Sequence, residues 1–177
     1  MSKVGVEATS KVHVLTFLTL DGVMQGPGGP EEDTSGGFRQ GGWSVGYFDE
    51  FVGREMGRQM GHKFDLLLGR RTYEIFASYW PKVKDASGDP INHATKYVAT
   101  HRPITKDWNT VRLEGDLVEA IRTLKGQPGP ELQVHGSATL IQTLLQNDLV
   151  DELWLKIFPV TIGRGRRLFA EGTTYAG

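Results

Sequence analysis

Short apolar runs alternate with amphipathic segments along most of this 177-residue chain. Runs rich in β-branched and apolar residues are typical of strands, and apolar residues at helical spacing indicate helices between them. This pattern favours an α/β domain with a largely parallel central sheet, because parallel strands need crossover connections that are usually helical. We predict strands over residues 12–18, 64–68, 95–100, 131–135 and 150–158, and helices near residues 48–60, 71–79, 116–126 and 137–146.

Two segments without helical or strand periodicity are predicted as loops. Residues 25–46 are rich in glycine, and residues 81–94 follow the second predicted helix. A loop as long as 25–46 in a compact domain is usually functional or mobile, because closing and ordering so long a segment costs entropy that must be offset.

The composition excludes several classes of protein. Twenty Lys and Arg residues against 21 Asp and Glu residues leave a net charge of -1, which argues against a nucleic-acid partner. The absence of cysteine excludes disulfides, thiolate nucleophiles and Cys-based zinc sites. His62, His93 and His101 lack metal-ligand spacing, and no apolar run reaches the ~18 residues of a membrane span. We expect one cytoplasmic domain over residues 1–177 with no metal, membrane or nucleic-acid partner.

Three short segments each follow a predicted strand, namely Gly69–Tyr73, Thr100–Arg102 and Gly136–Leu140. The carboxyl ends of parallel strands share one edge of a sheet, and α/β proteins bind ligands beyond that edge. Helix N-termini and arginine side chains both attract phosphate. Each segment alone also fits an ordinary turn with solvated arginines, but the three together favour a site for a polyanion such as a dinucleotide.

These segments resemble the dihydrofolate-reductase-like superfamily, in particular the branch that contains the reductase domain of bacterial riboflavin-biosynthesis enzymes. The resemblance extends over residues 12–169 and implies a three-layer α/β/α fold of dihydrofolate reductase type. The matching motifs are the Gly-Arg-x-Thr-aromatic-Glu segment at Leu68–Glu74, the Ser-x-Asp-Gly start at Thr19–Gly22, the Gly-Ser turn at His135–Leu140, and the closing strand at Leu149–Leu153 with Pro159, Gly163 and Gly165.

The resemblance implies NADPH as the cofactor, with the turns at its phosphates and the nicotinamide near Asp21. Extra cations independently favour the 2′-phosphate of NADP, and the missing Gly-x-Gly-x-x-Gly motif disfavours an ordinary Rossmann domain. Asp21 alone also fits a turn-forming role. The cofactor-binding residues so implied are Asp21, Gly22, Gly69, Arg70, Arg71, Thr72, Thr100, His101, Arg102, Gly136, Ser137, Ala138, Thr139 and Leu140.

The candidate residues that act on the substrate lie at and near the start of the helix after the long loop. Asp49 and Glu50 are the candidate catalytic acids, because reduction of a C=N bond needs a proton source as well as a hydride donor. Dihydrofolate reductases carry their pterin-binding acid on the corresponding helix. Both carboxylates equally fit a role at the helix N-terminus. Trp43, Phe48 and Phe51 are candidate substrate-binding residues that stack on a flat heterocycle, although aromatic residues there also fit a core.

We therefore predict an NADPH-dependent reductase that acts on a small nitrogen heterocycle or imine. The alternatives are a genuine dihydrofolate reductase and a non-catalytic NADP-binding protein. Arg39 is the one cation in residues 25–46, which argues against the ribose-phosphate substrate of the riboflavin enzyme. Relatives continue into a terminal hairpin where this chain ends at Gly177, so we expect a homodimer in which the partner covers a sheet edge.

Overall fold

The computed structural model describes residues 9–173. Strands in this range are β1 (Val12–Thr19), β2 (Phe64–Gly69), β3 (Lys96–Ala99), β4 (Thr110–Leu113), β5 (Glu131–Val134) and β6 (Glu152–Phe158). Its α-helices are α1 (Glu50–Gln59), α2 (Arg70–Tyr79), α3 (Asp89–His93), α4 (Leu117–Gly126) and α5 (Ala138–Gln146). None of the helices in this range combines the length and the apolarity needed to cross a membrane.

The strands form one sheet in the order β4-β3-β2-β5-β1-β6. Each pair of neighbouring strands in this sheet runs parallel. Strand β5 comes late in the sequence but lies between β2 and β1, so Val14 of β1 pairs with Val134 on one side and Leu153 of β6 on the other. The prediction of a largely parallel sheet is confirmed.

Helices cover both faces of the sheet. On one face, Val14 belongs to a core with Ile121 of α4 and Leu144 of α5. On the other face, Leu66 belongs to a second core with Ile91 of α3 and apolar side chains of α2. Each fully buried aliphatic side chain stabilises the fold by roughly 1.5–3 kcal/mol. The two cores give the three-layer α/β/α arrangement.

Two elements differ from the prediction. The segment 81–94 is not a continuous loop, because it contains the end of a 3₁₀ turn at Trp80–Lys82 and the helix α3. Helix α3 has five residues, which is too short for an apolar periodicity to show. Strand β4 was also absent from the prediction. It lies at the sheet edge with Val111 and Arg112 exposed, so its sequence lacks the apolar alternation of a buried strand.

The glycine-rich segment 25–46 is a long loop, as predicted, with only short 3₁₀ turns within it. Its organising residue is Gln25, which is 6% exposed. The Nε2 of Gln25 donates to the carbonyl oxygens of Asp33 at 3.2 Å and Ser35 at 3.0 Å. The Nε1 of Trp43 donates to the carbonyl oxygen of Gln25 at 2.8 Å. The loop is therefore folded back on itself around one buried amide.

Candidate functional site

The turns after β2 and β5 lie in direct contact. The backbone N–H of Gly69 donates to the carbonyl oxygen of Gly136 at 3.1 Å. A Cβ added to Gly69 would lie 2.2 Å from Oγ of Ser137, and one added to Gly136 would lie 2.6 Å from Oγ1 of Thr72. Gly136 also has φ +155°, which disfavours any larger residue. Glycine is therefore required at both positions by the close approach of the two turns.

The segment after β3 reaches the same edge through Arg70. The Nη1 of Arg70 donates to Oγ1 of Thr100 at 3.4 Å and to the carbonyl oxygen of Pro103 at 3.2 Å. The backbone N–H of Arg102 donates to the same Thr100 hydroxyl at 3.1 Å. The side chains of His101 and Arg102 are exposed. The structure thus brings together all three segments that the sequence singled out.

Two helices begin at this edge without a side-chain cap. Gly69 is the N-cap of α2 and Ser137 is the N-cap of α5, and neither position has a capping hydrogen bond from its side chain. The first N–H groups of such helices are left free for an external acceptor. Those of α5 belong to Ala138, Thr139 and Leu140, although the Leu140 side chain itself is buried in the core. Together with Arg70, these groups can bind phosphate oxygens.

Arg71 is engaged by an acid from the glycine-rich loop. Its Nε donates to Oδ1 of Asp33 at 2.8 Å, and Nη1 of Arg166 donates to Oδ2 of the same carboxylate at 2.9 Å. Partial burial acts to raise the pKa of Asp33, but hydrogen bonds from Ser35 and the two guanidinium groups hold that pKa below its usual value. A phosphate that approaches Arg71 therefore competes with an ionised carboxylate.

Asp21 acts as the acceptor of a turn. Its carboxylate accepts hydrogen bonds from Oγ1 of Thr19 at 2.6 Å, the N–H of Gly163 at 2.7 Å and the N–H of Ile162 at 3.1 Å. The Thr19 hydroxyl and then the Gly163 N–H lower the pKa of Asp21 to about 2. Gly22 follows at φ +79°, with its N–H bonded to the Thr19 carbonyl. This turn joins the end of β1 to the segment that follows β6.

The two predicted catalytic acids lie at the start of α1. Asp49 is the N-cap, and its Oδ1 accepts from the N–H of Val52 at 2.9 Å. The side chain of Glu50 is 95% exposed, with Arg54 at 3.8 Å one helical turn away. The structure thus gives Asp49 a capping contact and directs Glu50 to solvent. Both contacts agree with the alternative interpretation, in which Asp49 and Glu50 stabilise the N-terminus of α1.

The predicted substrate-binding aromatic residues separate into two groups. Five rings form an aromatic cluster around Phe158, with ring centroids 5.3–6.3 Å from that ring: Phe17, Trp43, Tyr47, Phe48 and Phe158 itself. Phe48 remains 45% exposed within this cluster. Phe51 instead lies on α1, 60% exposed, with the Arg54 guanidinium 5.6 Å from its ring. Trp43 and Phe48 therefore share one aromatic surface, and Phe51 is outside it.

Three titratable residues that the sequence analysis did not select lie next to this surface. They are Glu55 on α1, His135 at the end of β5 and Lys156 on β6, here called the polar trio. Burial lowers the pKa of Lys156 to about 8, while the Glu55 carboxylate acts in the opposite direction. Burial and then the Lys156 charge lower the pKa of His135 to about 4. The Nζ of Lys156 is 5.6 Å from the Phe17 ring, so the polar trio adjoins the aromatic cluster.

A sequence signal for Glu55 did exist. It occupies a position on the apolar face of α1, in step with Val52 and Met56. A carboxylate on an apolar helix face is a candidate for function, although the Glu55 side chain is 33% exposed and also accepts from Nε of Arg58 at 3.1 Å. Within residues 9–173, no group of three or more His, Asp or Glu side chains is arranged to hold a metal ion.

Several known proteins are similar to this chain in sequence. The family model of the RibD C-terminal domain matches residues 10–175. The uncharacterized protein YyaP of Bacillus subtilis is 30% identical over 111 residues, which cover 60% of this chain and 59% of YyaP. The uncharacterized protein YwjB of the same organism is 28% identical over 134 residues, which cover 73% of this chain and 74% of YwjB.

A solved structure shares the fold. The dihydrofolate reductase from Enterococcus faecalis, complexed with NADP(H) and RAB-propyl, matches with a TM-score of 0.57 at 15% identity. The match covers 93% of this chain and 79% of that protein. The fold is thus of dihydrofolate reductase type, as the sequence motifs predicted. With the family model matched over nearly its whole length, this chain belongs to the RibD C-terminal domain family.

Proposed function

We propose that this protein is an NADPH-dependent reductase that transfers a hydride to a small heterocyclic or imine substrate. The observation that carries the proposal is the convergence of the turns at Gly69, Thr100 and Gly136 directly beside the polar trio. One edge of the sheet thereby combines a phosphate-binding arrangement with titratable groups. The dihydrofolate reductase that shares the fold was solved with NADP(H), which supports the same cofactor here.

The chain's own residues fit the cofactor. The free N–H groups at the starts of α2 and α5 suit the diphosphate, because helix N-termini favour anions. Arg70 and the exposed Arg102 lie on the side of Thr100 and supply the cations that a 2′-phosphate requires. Arg71 adds a third cation once its ion pair with Asp33 is broken. Bound NADPH supplies the hydride.

We assign the role of proton donor to the substrate to Lys156 rather than to Asp49 or Glu50. Asp49 is occupied as a helix cap, and Glu50 points to solvent. Lys156 has a pKa lowered to about 8 by burial, so its ammonium can release a proton near neutral pH. Glu55 acts to keep that ammonium charged, and the Phe17 and Phe48 rings offer a surface on which a flat substrate stacks.

Titration with NADPH and NADH, followed by protein fluorescence, tests the cofactor half. We expect NADPH to bind more tightly than NADH, and Arg70→Ala and Arg102→Ala to reduce this preference by about tenfold or more. Arg122→Ala is the matched control, since Arg122 pairs with Glu119 on α4. Equal and weak binding of both nucleotides would contradict the proposal.

Cofactor oxidation tests whether the protein turns over. NADPH oxidation is measured with a panel of cyclic imines, pyrimidines and dihydrofolate, with and without methotrexate. Methotrexate-sensitive activity on dihydrofolate alone would identify a dihydrofolate reductase. Tight NADPH binding without oxidation across the panel would instead favour a binding protein that lacks catalysis.

A further inference from the structure

Gln133 is a completely buried amide under the candidate site. It lies on β5, two residues before His135, with 0% of its surface exposed. Its Nε2 donates to the carbonyl oxygen of Gln59 at 2.9 Å and to Oε1 of Glu131 at 2.6 Å. The Gln59 carbonyl oxygen can only accept a hydrogen bond, so it must face the nitrogen of the Gln133 amide. The amide therefore has one acceptable orientation, with its nitrogen toward Gln59 and Glu131.

Two histidine side chains lie against the Glu131 carboxyl group. The Nε2 of His62 lies 2.9 Å from Oε2 of Glu131. The Nδ1 of His13 lies 3.0 Å from the same oxygen, although its angle does not satisfy a hydrogen bond. The Glu131 side chain is 12% exposed. While Oε2 faces the two imidazoles, Oε1 of Glu131 accepts the hydrogen bond from Nε2 of Gln133 and supports the orientation of that amide.

The orientation of Gln133 determines which nitrogen of His135 carries a proton. The Oε1 of Gln133 lies 3.2 Å from Nε2 of His135. Because Oε1 has no hydrogen to donate, Nε2 of His135 must be the donor. Burial and the Lys156 charge lower the pKa of His135 to about 4, so the ring is neutral at neutral pH. A neutral ring protonated at Nε2 has an unprotonated Nδ1.

The unprotonated Nδ1 is left available. Within residues 9–173, no side chain or backbone group forms a hydrogen bond with Nδ1 of His135. The atom is also not fully enclosed by protein, so a ligand can reach it. The neighbours of the ring are Phe76 of α2, with centroids 5.8 Å apart, and Lys156. Gly136 of the turn follows His135 directly in the sequence.

We infer that Gln133 is a positioning residue that holds His135 in the Nε2–H form, so that Nδ1 selects ligands presenting an N–H or O–H donor. The ligand class is a heterocycle with a ring N–H, as opposed to its N-alkylated analogue. The inference rests on the proposed function only in placing the substrate next to the polar trio.

Nitrogen-15 NMR of histidine-labelled protein tests the tautomer without cofactor or turnover. His135→Gln identifies the His135 signals. We expect the ring of the unaltered protein to be protonated at Nε2 alone at neutral pH. Gln133→Leu, which removes the amide, should give a mixture of the two neutral forms. A proton on Nδ1 in the unaltered protein would overturn the inference even if the variant failed to fold, and so would an unchanged spectrum in folded Gln133→Leu.

Donor selection is tested with uracil and its N,N′-dimethyl derivative as probes. We expect uracil to shift the Nδ1 resonance and to bind about tenfold more tightly than the dimethyl compound, because the latter leaves the acceptor unpaired. Equal shifts with both probes, or a shift with neither, would overturn the ligand class. The proposed function would survive that result, since NADPH binding and oxidation are measured separately.

Discussion

Asp33 accepts a hydrogen bond of 2.8 Å from Nε of Arg71, across 38 positions of sequence. The contact joins the glycine-rich loop to the first turn of α2, where the cofactor phosphates are proposed to bind. Arg71 is therefore not a free cation, and the loop is tied to the site by the same pair. Binding of a cofactor phosphate at Arg71 would separate the two side chains and release this end of the loop.

Asp33→Asn should increase the affinity for NADPH about threefold to tenfold, because a charge-assisted hydrogen bond that competes with phosphate is weakened. The same change should make residues 26–44 more sensitive to limited proteolysis. Fluorescence titration and mass-spectrometric mapping of the cleavage sites measure the two effects. Glu31→Gln is the control, since it removes a charge from the same loop at an exposed position. Weaker NADPH binding in Asp33→Asn would show that the pair helps to build the site.

The protonation of Lys156 should limit the proposed turnover at high pH. If its ammonium donates the proton as proposed, turnover should fall as the pH rises through the Lys156 pKa of about 8. Glu55→Gln removes the group that opposes the lowered pKa, and the fall should then begin at lower pH. Profiles of kcat against pH with saturating NADPH measure both limits.

Lys156→Met should lower kcat by about 100-fold, the usual contribution of a positioned acid. Lys63→Met, at an exposed position before β2, serves as its control. A rate that stays constant well above pH 8, or an active Lys156→Met protein, would assign the proton to another group.

Asp21 should make stability sensitive to acid. The Thr19 hydroxyl and the Gly163 N–H lower its folded-state pKa to about 2, below the ordinary value of 3.8. A lowered carboxyl pKa stabilises the folded state above the unfolded-state value, and this contribution disappears as the pH falls toward the folded-state value. The difference in Tm between the unaltered protein and Asp21→Asn should therefore narrow between about pH 4 and about pH 2. Asp107→Asn, at an exposed position, should show no such narrowing.

Gly136→Ala should destabilise the protein and abolish NADPH binding. The new Cβ would lie 2.6 Å from Oγ1 of Thr72 at a φ of +155°, and such strain costs about 1–3 kcal/mol. Gly126→Ala is the matched control, because a Cβ there meets nothing within 4 Å. Thermal unfolding and cofactor titration compare the two variants. A Gly136→Ala protein of unaltered stability would mean that the two turns separate without cost.

Much of the fold could be predicted from local sequence. All strands except β4 and all helices except α3 carry apolar patterns strong enough to identify them within a residue or two at each end. Two elements, α3 and β4, were not predicted. Helix α3 is too short to show a period, and β4 is an edge strand whose exposed Val111 and Arg112 resemble a loop. Elements that bury little apolar surface leave little trace in the sequence.

The candidate site divides in the same way. The turns at Gly69, Thr100 and Gly136 could be placed together in advance, because the carboxyl ends of parallel strands meet at one edge whatever the strand order. The positions of Asp33, Glu55 and Lys156 at the site could not be predicted. Their local patterns indicate only a loop, a helix face and a strand, respectively. Their roles depend on which distant side chains lie opposite them.

The sequence alone thus determined the α/β class and which segments meet at one edge of the sheet, where we propose that phosphate binds, because both follow from local periodicity and chain direction. Only the tertiary structure decided which side chains face one another there. Insertion of β5 between β2 and β1 sets Gly69 against Gly136. Burial and neighbouring charges, which are properties of the folded chain, then set the protonation of His135 and Lys156.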